Sequence, residues 1–284
     1  MIATPPPALP DSTLPKSGIR VRADAYRHGA HTRIDRIVPN EVAVALSYNQ
    51  VGYAVMMATP ADLLDFAIGF SLSEHIIDHP ADIIQCDFVT VEQGIECRLQ
   101  VAHDVATRLT QRRRHLAGAL GCGLCGLESL AEATRDIPAV SSALQLSAPA
   151  IMTAMRDMAR AQSLNAQTHG VHAAGFYQAG HDVLVREDVG RHNALDKIIG
   201  ALAQQNRPGA LGAVLLTSRV SIELIQKCGG LGAPIIVAVS VPTAHAIRAA
   251  EQAGITLAAI ARDDGFEVFT HPSRIELEMI ADVA

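Results

Sequence analysis

Tryptophan is absent from this chain, and phenylalanine and tyrosine bring the aromatic share to only 4%. Stacking on exposed rings is therefore a poor basis for binding, which argues against a platform for single-stranded nucleic acid. A basic excess is also missing. The formal net charge is -6 over 284 residues, so no global positive field exists to hold a phosphate backbone. No apolar run is long enough to cross a bilayer without charges or breakers. The opening MIATPPPALPDSTLPKSGIR lacks the charged start and apolar stretch of a secretory signal. Its prolines and small polar residues predict a flexible tail over residues 1–20. These absences predict a cytoplasmic protein without nucleic-acid or membrane partners.

Cysteine is scarce as well. Five residues, unevenly spaced, cannot make a disulfide scaffold. Cys86 and Cys97 fall in strand-like runs and Cys228 near a helix end, where free thiols act as small apolar residues. A pairing of Cys86 with Cys97 across a hairpin is open, although a reducing cytosol disfavours it.

The remaining two cysteines stand apart. Gly121-Cys122-Gly123-Leu124-Cys125-Gly126 places two thiols on a backbone with three glycines, which tolerate unusual torsions and leave approach to sulfur unobstructed. Such a pair supports zinc ligation, thiol–disulfide exchange or carriage of sulfur as a persulfide. No second C-x-x-C exists to close a zinc site. The flanking glycines and the preceding Gln111-Arg112-Arg113-Arg114-His115 fit a thioredoxin-type helix start less well. Sulfur carriage leads, with a purely structural pair as the bland alternative. The arginine cluster is either a solvated face or a local field that lowers thiol pKa and meets an acidic partner.

Hydrophobic residues make up 49% of the chain, enough for a substantial core. In the first half, Val42 to Tyr48 pairs with Tyr53 to Ala58, and Ile83 to Val91 pairs with Ile95 to Val101. Between them a helix is predicted through about Ile77, with Thr59 as cap and Pro60 in the first turn. A short helix is predicted from Leu127 to about Arg135. Pro138 to Pro149 reads as a linker, with a boundary near residue 145.

The second half alternates. A helix from Ser147 to about Leu164 precedes strands His172 to Tyr177 and Asp182 to Arg186. Helices at Arg191 to Gln204, Ser221 to Cys228 and Thr243 to Ala253 then alternate with strands at Ala213 to Thr217, Pro234 to Val239 and Thr256 to Ala261. A last strand covers Glu267 to Thr270. The runs Ala213-Val214-Leu215-Leu216 and Ile235-Ile236-Val237-Ala238-Val239 read as strands covered on both faces. The fold class is α/β: a smaller, β-rich α+β N-terminal domain over 21–145, and a three-layer C-terminal domain over 146–284.

Two strand-to-helix turns carry positive charge where helix dipoles already are positive: Arg186-Glu187-Asp188-Val189-Gly190-Arg191-His192-Asn193 and Thr217-Ser218-Arg219-Val220-Ser221. They describe an anion pocket at the strand ends, suited to phosphate. In the bland alternative, Glu187, Asp188 and Glu223 neutralise the arginines. His172, Asn193, Asp196 and Lys197 are further candidates, each singly better read as structural.

Together these segments resemble the FdhD family of formate dehydrogenase accessory sulfurtransferases. The likeness rests on the Gly121–Gly126 loop, on Arg186-Glu187-Asp188-Val189-Gly190-Arg191-His192-Asn193-Ala194-Leu195-Asp196-Lys197, and on Ser218-Arg219-Val220-Ser221 with Glu223-Leu224. Gly254-Ile255-Thr256-Leu257 and Thr270-His271-Pro272-Ser273-Arg274-Ile275 complete it.

The resemblance implies a sulfur carrier that a cysteine desulfurase loads with a persulfide at Cys122, Cys125 being a helper thiol. It implies transfer to the molybdenum cofactor, in its bis(molybdopterin guanine dinucleotide) form, before insertion into formate dehydrogenase. It also implies a homodimer, a cytidine-deaminase-like C-terminal domain, no resident metal, and a cofactor site at Ile260, Ala261, Arg262, Asp263, Asp264 and Gly265. His172, Arg191, His192, Arg219 and Ser221 are added to that site from the turns above. Three positions depart from the family pattern: His169 in Thr168-His169-Gly170-Val171-His172, Val241 before Pro242-Thr243, and Ile260 in place of an aromatic residue. Zinc-dependent deamination is excluded by chemistry, since its H-x-E motif would need glutamate where Ala174 stands. A cofactor-binding chaperone without sulfur transfer and a zinc-bound interaction module are the alternatives.

Overall fold

The computed structural model of the protein describes residues 14–116 and 136–277, with side chains in the first segment described through residue 109. The cysteine loop and the helix predicted from Leu127 lie outside the described residues.

The chain first makes a two-stranded ribbon, β1 (Gly18–Arg27) with β2 (Ala30–Pro39), turning at His28-Gly29. Strand pairing thus begins inside the stretch read as a tail. A four-stranded sheet follows, in the order β4-β3-β6-β5. It comprises β3 (Val42–Tyr48), β4 (Val51–Ala58), β5 (Ile83–Val91) and β6 (Gly94–Val101), with β3 and β6 parallel and both hairpins antiparallel. Asn49 and Gln50 both take positive φ, as a two-residue hairpin turn with matching twist demands.

One face of this sheet packs on α1 (Leu63–Ser73) and α2 (His103–Leu116). Val44, Leu46, Phe66, Ile95 and Leu99 form the centre of that core. Tyr48 is buried there, and its hydroxyl is satisfied by Ser71 Oγ at 2.7 Å. Cys86 and Cys97 are buried free thiols with their sulfurs 3.8 Å apart.

α1 ends at Ser73 rather than near Ile77, and Thr59 does not cap it. Asp62 occupies the cap position with φ 51° and no side-chain cap bond. Thr59 is engaged elsewhere, with partners about 130 residues away, as described below.

The second half builds a six-stranded sheet in the order β13-β12-β11-β10-β8-β9. Its members are β8 (His172–Tyr177), β9 (Leu184–Asp188), β10 (Ala213–Leu216), β11 (Ile235–Ala238), β12 (Thr256–Arg262) and β13 (Gly265–Thr270). The central three are parallel and the flanking strands antiparallel. Val214 and Leu216 face one core with α5 (Arg191–Gln204), α6 (Ile222–Leu231) and α7 (Ala244–Ala253). Ala213 and Leu215 face the other, with α3 (Ala148–Ala161). This is the three-layer α/β arrangement that fully buried parallel strands require. Ser147 caps α3 through Ala150 N, and the predicted single helix breaks at Gln162 into α3 and α4 (Ser163–Thr168). A short parallel pair, β7 (Leu146–Ser147) with β14 (Ile275–Glu276), ties the linker to the chain's last described turn.

α1 and α5 join the halves at backbone contact. A Cβ on Gly69 would stand 1.7 Å from the Asp196 carbonyl oxygen, and one on Gly200 1.9 Å from that of Asp65. Only glycine at both crossing points allows this approach.

Candidate functional site

The parallel strands β10, β11 and β12 all end at one edge of the large sheet. Antiparallel β8 begins there, because Leu216 pairs with Ala174 and His172 runs past it. Thr217 N donates to Ala173 O (3.1 Å) and Ala173 N to Thr217 Oγ1 (2.9 Å). The loops beyond the strands are laced together: Val239 N to Leu216 O (2.8 Å), Val220 N to Val241 O (3.2 Å), Thr243 N to Val220 O (2.9 Å) and Ile260 N to Ser240 O (3.4 Å). They form a backbone floor.

Two helices aim their N-termini at this floor. α5 starts after Gly190 and α6 after Ser221, neither with a side-chain cap bond. Their first N–H groups and dipole ends favour an anion.

Polar side chains gather between them. Among the described residues, His192 Nε2, Ser221 Oγ and Glu223 Oε2 are buried without a well-formed hydrogen bond. Burial, then the positive charges of Arg191 and Lys227, push the His192 pKa down to about 4, with Glu223 opposing. His172 is lowered by burial and by Arg191, against Asp188. Burial works against the Glu223 carboxylate, but the Ser221 hydroxyl, its own amide, His192 and Arg191 outweigh it, so its pKa lies below the usual value. At neutral pH the cluster therefore holds a carboxylate, two neutral imidazoles, a hydroxyl and the Arg191 cation. Leaving such buried groups unpaired costs about 1–3 kcal/mol each. A ligand with both donors and acceptors, and negative charge toward the helix ends, relieves that cost.

The sequence-derived residues divide cleanly. His172, Arg191, His192 and Ser221 come together. Arg219 is exposed on the adjoining turn. Ile260, Ala261 and Arg262 close the same edge within a register break of β12 against β13. Ile260 has φ 55°, an outlier for a β-branched residue and a form of strain that concentrates at binding sites. The Arg262 guanidinium donates to the carbonyls of Val239 and Ala261. Asp263 and Asp264 form the exposed hairpin tip, and Gly265 takes φ 148°. Cys122 and Cys125 lie outside the described residues.

Other candidates are structural. Asp188 and Lys197 form a fully buried ion pair of 2.7 Å. Asp188 also accepts from Thr59 N (3.0 Å), Gly190 N (2.8 Å) and Asn193 Nδ2 (3.0 Å), while Lys197 donates to Thr59 O (3.1 Å) and Glu187 O (3.2 Å). Thr59 Oγ1 accepts from Val189 N at 3.1 Å. Glu187 caps α4 through Leu164 N (2.8 Å) and Asn165 N (2.7 Å). Arg186 pairs with Asp65 (2.6 Å) and Asp62 (3.4 Å), partners from the first half of the chain. Asp196 is held by Lys227 (2.7 Å) and Ser73 (2.7 Å). The anion reading of the Arg186–Asn193 turn is thereby narrowed to Arg191 and His192.

Sequence reasoning treated Glu223 as a charge-neutralising partner and passed over Gln226, whose Nε2 is also buried and unpartnered. Their spacing of three on α6 was the available signal. Gln226 and Lys227 line a cavity of about 610 Å³ between α5, α6 and the turn after α1.

Residues 39–276 match the model of the FdhD/NarQ family. The chain belongs to that family. It is 46% identical over 260 residues to the sulfur carrier protein FdhD of Agrobacterium fabrum, covering 91% of this chain and 96% of that one. It is 45% identical over 273 residues to the sulfur carrier protein FdhD of Cupriavidus necator, covering 96% and 95%. A solved structure from Desulfotalea psychrophila, described as a formate dehydrogenase accessory protein, is similar with a TM-score of 0.71 and 25% identity. It spans 91% of this chain and 99% of the other. Among the described residues, no helix is long and apolar enough to cross a membrane.

Proposed function

We propose that this FdhD/NarQ chain is a sulfur carrier serving formate dehydrogenase, with Cys122 as the carrying thiol. The observation that carries the reading is the match to relatives named sulfur carrier proteins, at 45–46% identity over more than nine tenths of the chain. Cys122 thiolate attacks the terminal sulfur of a cysteine desulfurase persulfide, and the donor's thiolate leaves. Cys125 is the helper thiol. The acceptor is the molybdenum cofactor in its bis(molybdopterin guanine dinucleotide) form, a substrate rather than a resident group.

The strand-edge pocket suits that acceptor's chemistry. Phosphate charge is matched by two uncapped helix N-termini and by Arg191, with Arg219 and Arg262 on the adjoining loops. Glu223 accepts from ring N–H groups, while Ser221 and neutral His192 either donate or accept. The protein works in the cytoplasm as a homodimer, and its large sheet is the deaminase-like domain.

Incubation with cysteine and a desulfurase should add one sulfur to the intact mass, and Cys122→Ala should abolish the adduct. Arg219→Ala and Arg262→Ala should weaken guanine nucleotide binding. An adduct that survives Cys122→Ala refutes the assignment of the thiol. No adduct with nucleotide binding retained favours a cofactor-binding chaperone, the second reading, which the polar pocket supports without the thiols.

A further inference from the structure

The β1–β2 ribbon is unlike the rest of the fold. Among the described residues, its two strands pair only with each other. An isolated two-stranded hairpin is marginal in water unless something covers its apolar face.

The register assigns those faces, because directly paired residues share a side. One face carries Arg20 opposite Ile37, Arg22 opposite Asp35, Asp24 opposite Arg33 and Tyr26 opposite His31. Both ribbon carboxylates lie here, and both are engaged: Asp24 with His31 (3.1 Å) and Arg33 (3.6 Å), Asp35 with Arg20 (4.0 Å). At the base this face turns toward the body, where Gly18 sits against Ile37 and Leu164.

The other face carries Ile19 opposite Val38, Val21 opposite Arg36, Ala23 opposite Ile34, Ala25 opposite Thr32 and Arg27 opposite Ala30. It is an apolar stripe with Ile19 45% and Val21 37% exposed. It has no carboxylate, yet it carries two exposed arginines, Arg27 and Arg36, that form no ion pair among the described residues. The family match begins at residue 39, the last residue of β2.

We propose that this outward face is a docking surface for a partner protein presenting an extended segment that carries apolar side chains and carboxylates on one and the same side, at every second position. The apolar residues cover the Ile19–Val21–Ile34–Val38 stripe, and the carboxylates meet Arg27 and Arg36. The unpaired outer edges of both strands offer backbone groups to such a segment. A second copy's identical face does not suit this role. It brings two more arginines and no carboxylate, so the pairing leaves like charges in one apolar layer.

The probe is a fluorescein-labelled ten-residue peptide with valine or glutamate at every second position and serine between, which puts both on one side of an extended chain, titrated against the full chain and followed by anisotropy. The controls keep that spacing and replace its glutamates by lysine (valine–lysine) or its valines by serine (serine–glutamate). The valine–glutamate peptide should bind saturably and both controls far more weakly. Arg27→Glu/Arg36→Glu should weaken binding by about tenfold or more, the scale of two exposed charge contacts, with melting temperature unchanged. Arg27→Gln/Arg36→Gln, which removes charge without adding carboxylates, decides the matter if the reversed variant misfolds. Four results overturn the proposal: equal binding of all three peptides, no saturable binding, a halved solution mass in either double variant (a second copy held by this face), or sedimentation with phosphatidylglycerol vesicles that the double variants abolish.

Discussion

Arg186 to Lys197 is one short segment with two opposite characters. Its outer positions, Arg186, Glu187, Asp188, Asn193, Asp196 and Lys197, have every described charge matched, and four of them are buried. Between them, Arg191 and His192 adjoin a cluster in which buried polar atoms have no hydrogen-bond partner among the described residues. The same helix start is thus a structural weld on one side and a receptive surface on the other. Density of charge in a sequence does not identify a binding site; the residue that lacks a partner does.

The comparison is broken most forcefully on its structural side. Lys197→Met leaves the Asp188 carboxylate buried and uncompensated, and should cost about 3–5 kcal/mol in urea unfolding. A loss below about 1 kcal/mol would show that Thr59, Gly190 and Asn193 alone hold Asp188. Gly200→Ala should come next, at more than about 2 kcal/mol, because α1 must retreat from the new methyl group. Unchanged stability would mean that the helices slide apart freely.

His192→Gln probes the pocket side. The unfolded imidazole takes its proton near pH 6.5, the folded one near 4. Between those values the unfolded state binds more protons, so the wild type loses stability as pH falls from 6.5 toward 4 and none of this term above 6.5. The variant should match wild type at pH 7, and lose on the order of 1–2 kcal/mol less between pH 7 and pH 5. Parallel pH profiles would contradict burial of a neutral ring. The smallest effect is expected for Ser221→Ala, because the desolvation cost of its buried hydroxyl and its contact with the Glu223 carboxylate oppose one another: stability should change by less than about 0.5 kcal/mol while nucleotide affinity falls. A marked destabilisation would place Ser221 among the structural residues.

Much of this architecture was legible, for physical reasons that differ by region. β10 and β11 announce themselves as continuous apolar runs, and α5 and α7 are bounded by a strand-end turn and by the Thr243 cap. The hairpin β5–β6 follows from its alternation and from Gly94 at φ 153°. The role of Thr59 was illegible because its partners, Asp188, Val189 and Lys197, are distant in the chain. The ribbon was missed although Ile19, Val21, Ala23 and Ala25 alternate; the prolines and small polar residues of 1–20 suggested a tail where it begins. Residue types singled out His172, Arg191, His192 and Ser221, which the fold brings together at the strand ends. Glu223 was weighed only as a neutralising neighbour of the arginines, and geometry adds that one of its oxygens has no hydrogen-bond partner among the described residues.

The crossing at Gly69 and Gly200 limits how this protein can be divided. Backbone touches backbone there, and a buried ion pair is sealed by Thr59 a few residues away. Polypeptides produced separately from either side of residue 136 would each expose a carved helix surface and half of a charge cluster. They would be obligate companions rather than modules, recovering native form only on meeting.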